Sequence, residues 1–83
     1  MTTHELFLKN GYKQRYRCNN HVIYDLAKKE SDLPETIIIC KNGEVELSSE
    51  VKDNTFLGTF SFNLNEEILE AIGRKIKEMK SEE

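Results

Sequence analysis

The hydrophobic pattern is sharpest near the C-terminal end, over Asn65 to Met79. Ile68, Leu69, Ile72, Ile76 and Met79 recur at three- and four-residue steps, which place side chains on one helix face. At 100° per residue they span an arc of roughly 100°, the width of a core-facing stripe. Asn65 stands where a helix is capped. Glu66 and Glu67 fall in its first turn and Lys77 and Lys80 near its end, as the helix dipole favours. Gly73 lies at the border of the stripe beside Leu69, where it would let another backbone approach closely.

Upstream the period drops from 3.6 to 2. Tyr12 to Cys18 alternates, with Tyr12, Gln14, Tyr16 and Cys18 on one side and Lys13, Arg15 and Arg17 on the other. Asn19-Asn20 is a turn, and Val22 to Ala27 is a second strand with Val22, Tyr24 and Leu26 on one face. Lys28 to Glu35 reads as a polar loop. Thr36 to Cys40 is β-branched and apolar, a third strand. Asn42-Gly43 then predicts a two-residue type I′ hairpin into Glu44 to Val51. That register sets Cys40 against Val45, Ile39 against Glu46, Ile38 against Leu47 and Ile37 against Ser48. Cys40, Val45, Ile38 and Leu47 would form the face under the C-terminal helix, and Ile37 and Ile39 would point away beside Glu46 and Ser48. Lys52 to Asn54 reads as a turn, and Thr55 to Leu64, with three phenylalanines and Gly58, as one bulged strand or two short ones. At the other end, Thr2 and Glu5 have capping-box spacing ahead of Leu6, Phe7 and Leu8. With Gly11 as terminator, they predict a short helix over Thr3 to Asn10.

These elements add up to one α+β domain over residues 1–83. It is an antiparallel meander of four or five strands with the C-terminal helix packed on one face and a short N-terminal helix. A chain of 83 residues has room for one thin core and none for a deep cavity. That disfavours a small-ligand carrier. No apolar run approaches the roughly 18–20 residues of a membrane span. No basic-then-apolar leader opens the chain. The two cysteines lack a framework spacing, which suggests a reducing, cytoplasmic setting.

The net charge of −3 conceals a division: residues 1–29 sum to +4 and residues 30–83 to −7. In a compact domain such halves attract each other; an acidic half could also imitate nucleic acid toward a partner.

The pieces Asn10-Gly11-Tyr12, Leu64-Asn65, and Leu69, Ala71, Ile72, Ile76, Glu78 and Met79 give the chain a recognisable outline. It resembles the short, mostly uncharacterised proteins of Gram-positive phages and prophages. Those carry a Leu-Gly-Tyr near the start, continue as a strand meander and close on an amphipathic helix. The chain departs from that pattern in Asn for Leu before Gly11 and Lys75 for Gln. The resemblance implies a cytosolic setting in an infected host and carries over no catalytic residues.

Candidate chemistry is sparse. Cys18-Asn19-Asn20-His21 has the gap of a zinc half-site, which Cys40 and His4 would complete. Both completing residues are isolated, so one core thiol and one turn thiol is the better reading, with no metal or cofactor expected. Lys13, Arg15 and Arg17, with Lys9, Tyr12 and Tyr16 nearby, are the candidate nucleic-acid residues. Alternation points the tyrosines away from the basic face, and overall acidity opposes this reading. Asp25, His21, Ser48 and Ser49 place no nucleophile beside a base, so no enzyme is expected. Ile37, Ile39 and Glu46 remain as candidate partner-binding residues, because a single helix covers only one side of a sheet. The expected function is a non-catalytic protein-binding module of a phage or mobile element. It would self-associate or occupy a host or defence protein. The alternative is a small nucleic-acid binder using the first strand.

Overall fold

The computed structural model describes residues 1–27, 33–48 and 64–81. The chain runs α1 (Thr3–Lys9), β1 (Tyr12–Arg17), β2 (His21–Leu26), β3 (Thr36–Cys40), β4 (Val45–Ser48) and α2 (Glu66–Ser81). The four strands form one antiparallel meander in the order β1-β2-β3-β4. The expected α+β architecture with a short N-terminal and a longer C-terminal helix is therefore present. The end of the fourth strand as expected (49–51), the turn after it, the strand expected over 55–64 apart from Leu64, and most of the loop after β2 lie outside the described residues.

Local chemistry explains the helix ends. The Thr2 hydroxyl accepts from the Glu5 amide at 3.2 Å, capping α1. Gly11, at φ 87°, stops the helix in the left-handed region and starts β1. Asn65 Oδ1 accepts from the Ile68 amide at 2.8 Å, while its Nδ2 donates to Asn10 Oδ1 at 2.7 Å. One side chain thus caps α2 and ties it to the end of α1. The helices run antiparallel: Lys9 pairs with Glu67 at 2.9 Å, and at the other end the Thr3 hydroxyl donates to Glu78 and Arg74 to the Met1 carbonyl.

Both helices lie on the same face of the sheet. Leu6 and Phe7 of α1 and Ile68, Ala71, Ile72 and Met79 of α2 share one core with Tyr12, Val22, Tyr24, Ile37 and Ile39. Phe7 stacks on Tyr24 with ring centroids 3.9 Å apart and meets Tyr12 edge-on at 6.5 Å. The two core tyrosines differ at their tips. Tyr12 donates to the Pro34 carbonyl at 2.7 Å. The Tyr24 hydroxyl is buried with no hydrogen-bond partner among the described residues, and burial pushes it up to about 12; Glu78 adds to the shift and Arg17 opposes it.

Three sequence expectations need correction. The first is the hairpin register. Ile39 pairs with Val45, Ile38 with Glu46, Ile37 with Leu47 and Thr36 with Ser48, one residue away from the expected pairing. The loop is three residues, Lys41-Asn42-Gly43. The Gly43 amide donates to the Cys40 carbonyl, the Cys40 amide donates to Glu44, and only Gly43 has positive φ, at 97°. A type I turn followed by a left-handed glycine fits this loop; a type I′ turn would need positive φ at Asn42 as well. Because side chains alternate, the one-residue change swaps the faces. Ile37 and Ile39 are 0% exposed beneath the helices, and Ile38 and Cys40 take the opposite face.

The second correction is a β-bulge in β1. Gln14 pairs with Tyr24 and Tyr16 with Ile23, leaving Arg15 as the extra residue. Past the bulge the phase inverts, so Tyr16 leaves the helix-covered face and Arg17, opposite Val22, joins it. The third concerns α2. Its buried residues are Ile68, Ala71, Ile72, Lys75 and Met79, while Leu69 is 54% exposed. Gly73 is exposed with open space where a Cβ would stand, so no backbone approaches it closely.

Candidate functional site

With both helices on one side, the other face of the sheet is where these residues can meet a partner. Its side chains form three rows across the strands. The middle row is Tyr16, Ile23, Ile38 and Glu46, in direct register from β1 to β4. Tyr16 is 50% exposed and Ile23 and Ile38 are half-buried. On one side lie Lys13, Arg15, Asp25, Thr36 and Ser48. Here Arg15 Nε meets Asp25 Oδ2 at 2.6 Å, and Thr36 donates to the other Asp25 oxygen at 3.1 Å. On the other side, Cys18, just past β1, His21 of β2 and Cys40 of β3 follow one another. The Cys18 amide donates to the His21 carbonyl, and Cys40 faces His21. An apolar, aromatic centre with polar groups on both sides is the composition of a docking surface.

Of the three candidate partner residues, Glu46 lies on this open face, at the end of its middle row. Ile37 and Ile39 do not; they are core, and their place is taken by Ile38 with Ile23. The basic trio is also divided. Lys13 is exposed on the open face, Arg15 is held by Asp25, and Arg17 has crossed to the helix side. The bulge that separates them brings Tyr16 onto the face of Lys13, the reverse of what strict alternation gives. Its ring lies 5.3 Å from that of His21, tilted by 35°.

The zinc half-site residues do meet. Cys18 Sγ lies 3.2 Å from His21 Nδ1 and accepts from the Asn20 amide at 3.4 Å. Both cysteines are free thiols, and Cys40 is half-buried on the open face rather than a core thiol. His4 is exposed on α1. Among the described residues no group of three such side chains is arranged to hold a metal ion. Among the described residues the His21 ring meets Cys18 and Tyr16 and no carboxylate, whereas an acyl-transfer base requires one to orient the imidazole. Asp25 is occupied by Arg15 and Thr36, and Ser48 stands opposite Thr36.

The sequence reading missed Tyr16, Ile23 and Ile38 as a surface row. A turn one residue longer and one extra strand residue move all three, and neither carries a compositional mark. Among the described residues no helix is long and apolar enough to cross a membrane. Comparison with known proteins finds no matching family, no matching characterised protein and no matching solved structure.

Proposed function

We propose that the protein is a small, non-catalytic protein-binding module that takes its partner on the open face of the sheet. The observation that carries this reading is the Tyr16–Ile23–Ile38 row, which neither helix covers. Tyrosine and isoleucine supply desolvated contact area, and the mixed charges of Lys13, Arg15, Asp25 and Glu46 on the same face would supply register. The likeness to short phage proteins suggests a host or defence protein as partner, inhibited by occupation of its surface.

The test is capture from a Gram-positive lysate by the wild type and by a Tyr16→Ala, Ile38→Lys double variant. Melting is followed in parallel to confirm that the variant folds. The reading requires a protein retained by the wild type and lost by a folded double variant. It fails if both retain the same proteins.

A nucleic-acid reading draws on the shared face of Lys13 and Tyr16, since an exposed ring beside a cation can stack a base near its phosphate. The pairing of Arg15 with Asp25 and the presence of Glu46 oppose it. Captured nucleic acid that is released steeply as salt rises would favour it over the protein-binding reading.

A further inference from the structure

Two Asn-Gly pairs occur in the sequence, Asn10-Gly11 and Asn42-Gly43. Asparagine is among the chemically labile residues, and most so before glycine. Glycine has no side chain to shield its amide nitrogen, so that nitrogen can reach the carboxamide carbon of the asparagine before it. The fold places the two pairs in opposite circumstances. Asn42 and Gly43 are exposed at the tip of the β3–β4 turn, whereas Asn10 and Gly11 are half-buried between α1 and β1.

The bonds on the reacting groups differ in reach. Asn42 Oδ1 accepts from the Glu44 amide at 2.9 Å, and the Gly43 amide donates to the Cys40 carbonyl at 3.0 Å. Both bonds lie within the turn, so a local opening of residues 40–44 releases them together. Asn10 is held across the fold. Its Oδ1 accepts from Asn65 Nδ2 at 2.7 Å, and its Nδ2 donates to the Leu6 carbonyl at 2.8 Å. The Gly11 amide donates to the Leu8 carbonyl at 3.0 Å, and the Gly11 carbonyl accepts from the Ala27 amide at 2.8 Å. Turning this carboxamide onto the Gly11 nitrogen requires α2 to release α1 and the end of α1 to unwind. Contacts of that reach open with the fold as a whole.

We propose that Asn42 is a site of spontaneous deamidation in the folded protein, and that the same fold shields Asn10. When the turn opens, the Gly43 nitrogen gives its proton to hydroxide and attacks Asn42 Cγ. A bond from Cγ to that nitrogen forms, the bond from Cγ to Nδ2 breaks, and Nδ2 leaves as ammonia with a proton from water. Water then opens the resulting succinimide ring. Cleavage between Cγ and the ring nitrogen gives aspartate; cleavage between the backbone carbonyl carbon and that nitrogen gives isoaspartate. Either product consumes water, releases ammonia and adds a negative charge in the turn that leads to Glu44 and Glu46. The products differ in what they do to the hairpin. Aspartate keeps the acceptor for the Glu44 amide. Isoaspartate routes the chain through the side-chain methylene and lengthens a loop whose length fixes which isoleucines face the helices. The site is independent of the protein-docking reading.

The test is peptide mapping by mass spectrometry on the full-length protein at mildly alkaline pH, folded in buffer and unfolded in urea. Electron-transfer fragmentation separates isoaspartate from aspartate. In urea the two asparagines should convert at comparable rates. In the folded protein Asn42 should convert while Asn10 lags it by about tenfold or more, since further hydrogen bonds and the contact between the helices must break first. Asn65→Asp sharpens the test. It keeps an acceptor for the Ile68 amide, and so the α2 cap, but removes the donor to Asn10. Conversion of Asn10 should then rise severalfold, with Asn42 and melting unchanged. The proposal fails if Asn42 in the folded protein stays intact while the unfolded sample converts, or if Asn10 keeps pace with Asn42. An unchanged Asn10 rate in the folded Asn65→Asp variant would overturn its shielding by α2.

Discussion

Substituting lysine at two adjacent isoleucines tests the register on which the open face depends. Ile39 is 0% exposed and pairs with Val45 under the helices; Ile38 is half-buried on the other side and pairs with Glu46. Ile39→Lys forfeits about 1.5–3 kcal/mol of side-chain burial. It also forces an amine into the core that Ile39 shares with Val22, Ile37, Ile68 and Ile72, bringing the total to about 5 kcal/mol or more. For a chain of 83 residues the whole folding free energy is about 4–12 kcal/mol. At about 4–8 °C per kcal/mol, Ile39→Lys should lower Tm by more than about 20 °C or leave the chain unfolded. Ile38→Lys keeps its stem on the sheet, carries its ammonium to water and stands beside Glu46. It should cost within about 1 kcal/mol. Circular dichroism melts of both variants, with urea titrations to obtain the free energies, measure the difference. If Ile38→Lys is the more damaging, the hairpin has the two-residue loop after all, and the open face is built of other residues.

Two further substitutions probe the core and the long helix. Tyr24→Phe removes a buried hydroxyl without a partner and should be neutral or stabilising by up to about 1 kcal/mol, whereas Tyr12→Phe orphans the Pro34 carbonyl and should cost about 1–2 kcal/mol. Because the folded Tyr24 hydroxyl titrates near 12 and the unfolded one near 10, its contribution is complete below pH 10 and is lost as pH rises toward 12. Wild type minus Tyr24→Phe in urea titrations should fall by about 2–3 kcal/mol over that window; a flat difference would refute the buried, unpaired tip. Gly73→Ala should stabilise by about 1 kcal/mol, since the position is helical, exposed and open where a Cβ would stand. Any loss of stability on melting would mean that something packs on that face of α2.

The two helices, their caps and the positions of the first four strands are readable because each rests on a local signal: Thr2 and Glu5, Gly11, Asn65, and the change of period from 2 to 3.6. The faces were not readable. Thr36 to Cys40 contains three consecutive isoleucines, so either register buries apolar side chains and the pattern selects neither. Asn42-Gly43 serves a two-residue loop and a three-residue loop equally well, and the choice depends on whether Asn42 takes positive φ. The bulge is equally silent. Tyr-Lys-Gln-Arg-Tyr-Arg alternates without a break, and Arg15 steps out of phase only where Asp25 holds it on the neighbouring strand.

The extra residue at Arg15 also bears on how the molecule behaves in crowded solution. Among the described residues β1 is an outermost strand of the sheet, and a flat outermost strand offers unpaired amides and carbonyls as a template for further chains. The bulge twists that margin and breaks its hydrogen-bond spacing midway, while the exposed Lys13 adds a charge beside it. A second copy approaching edge-on cannot zip flush along it. The same insertion that carries Tyr16 to the face away from the helices therefore works against fibrous growth along this margin.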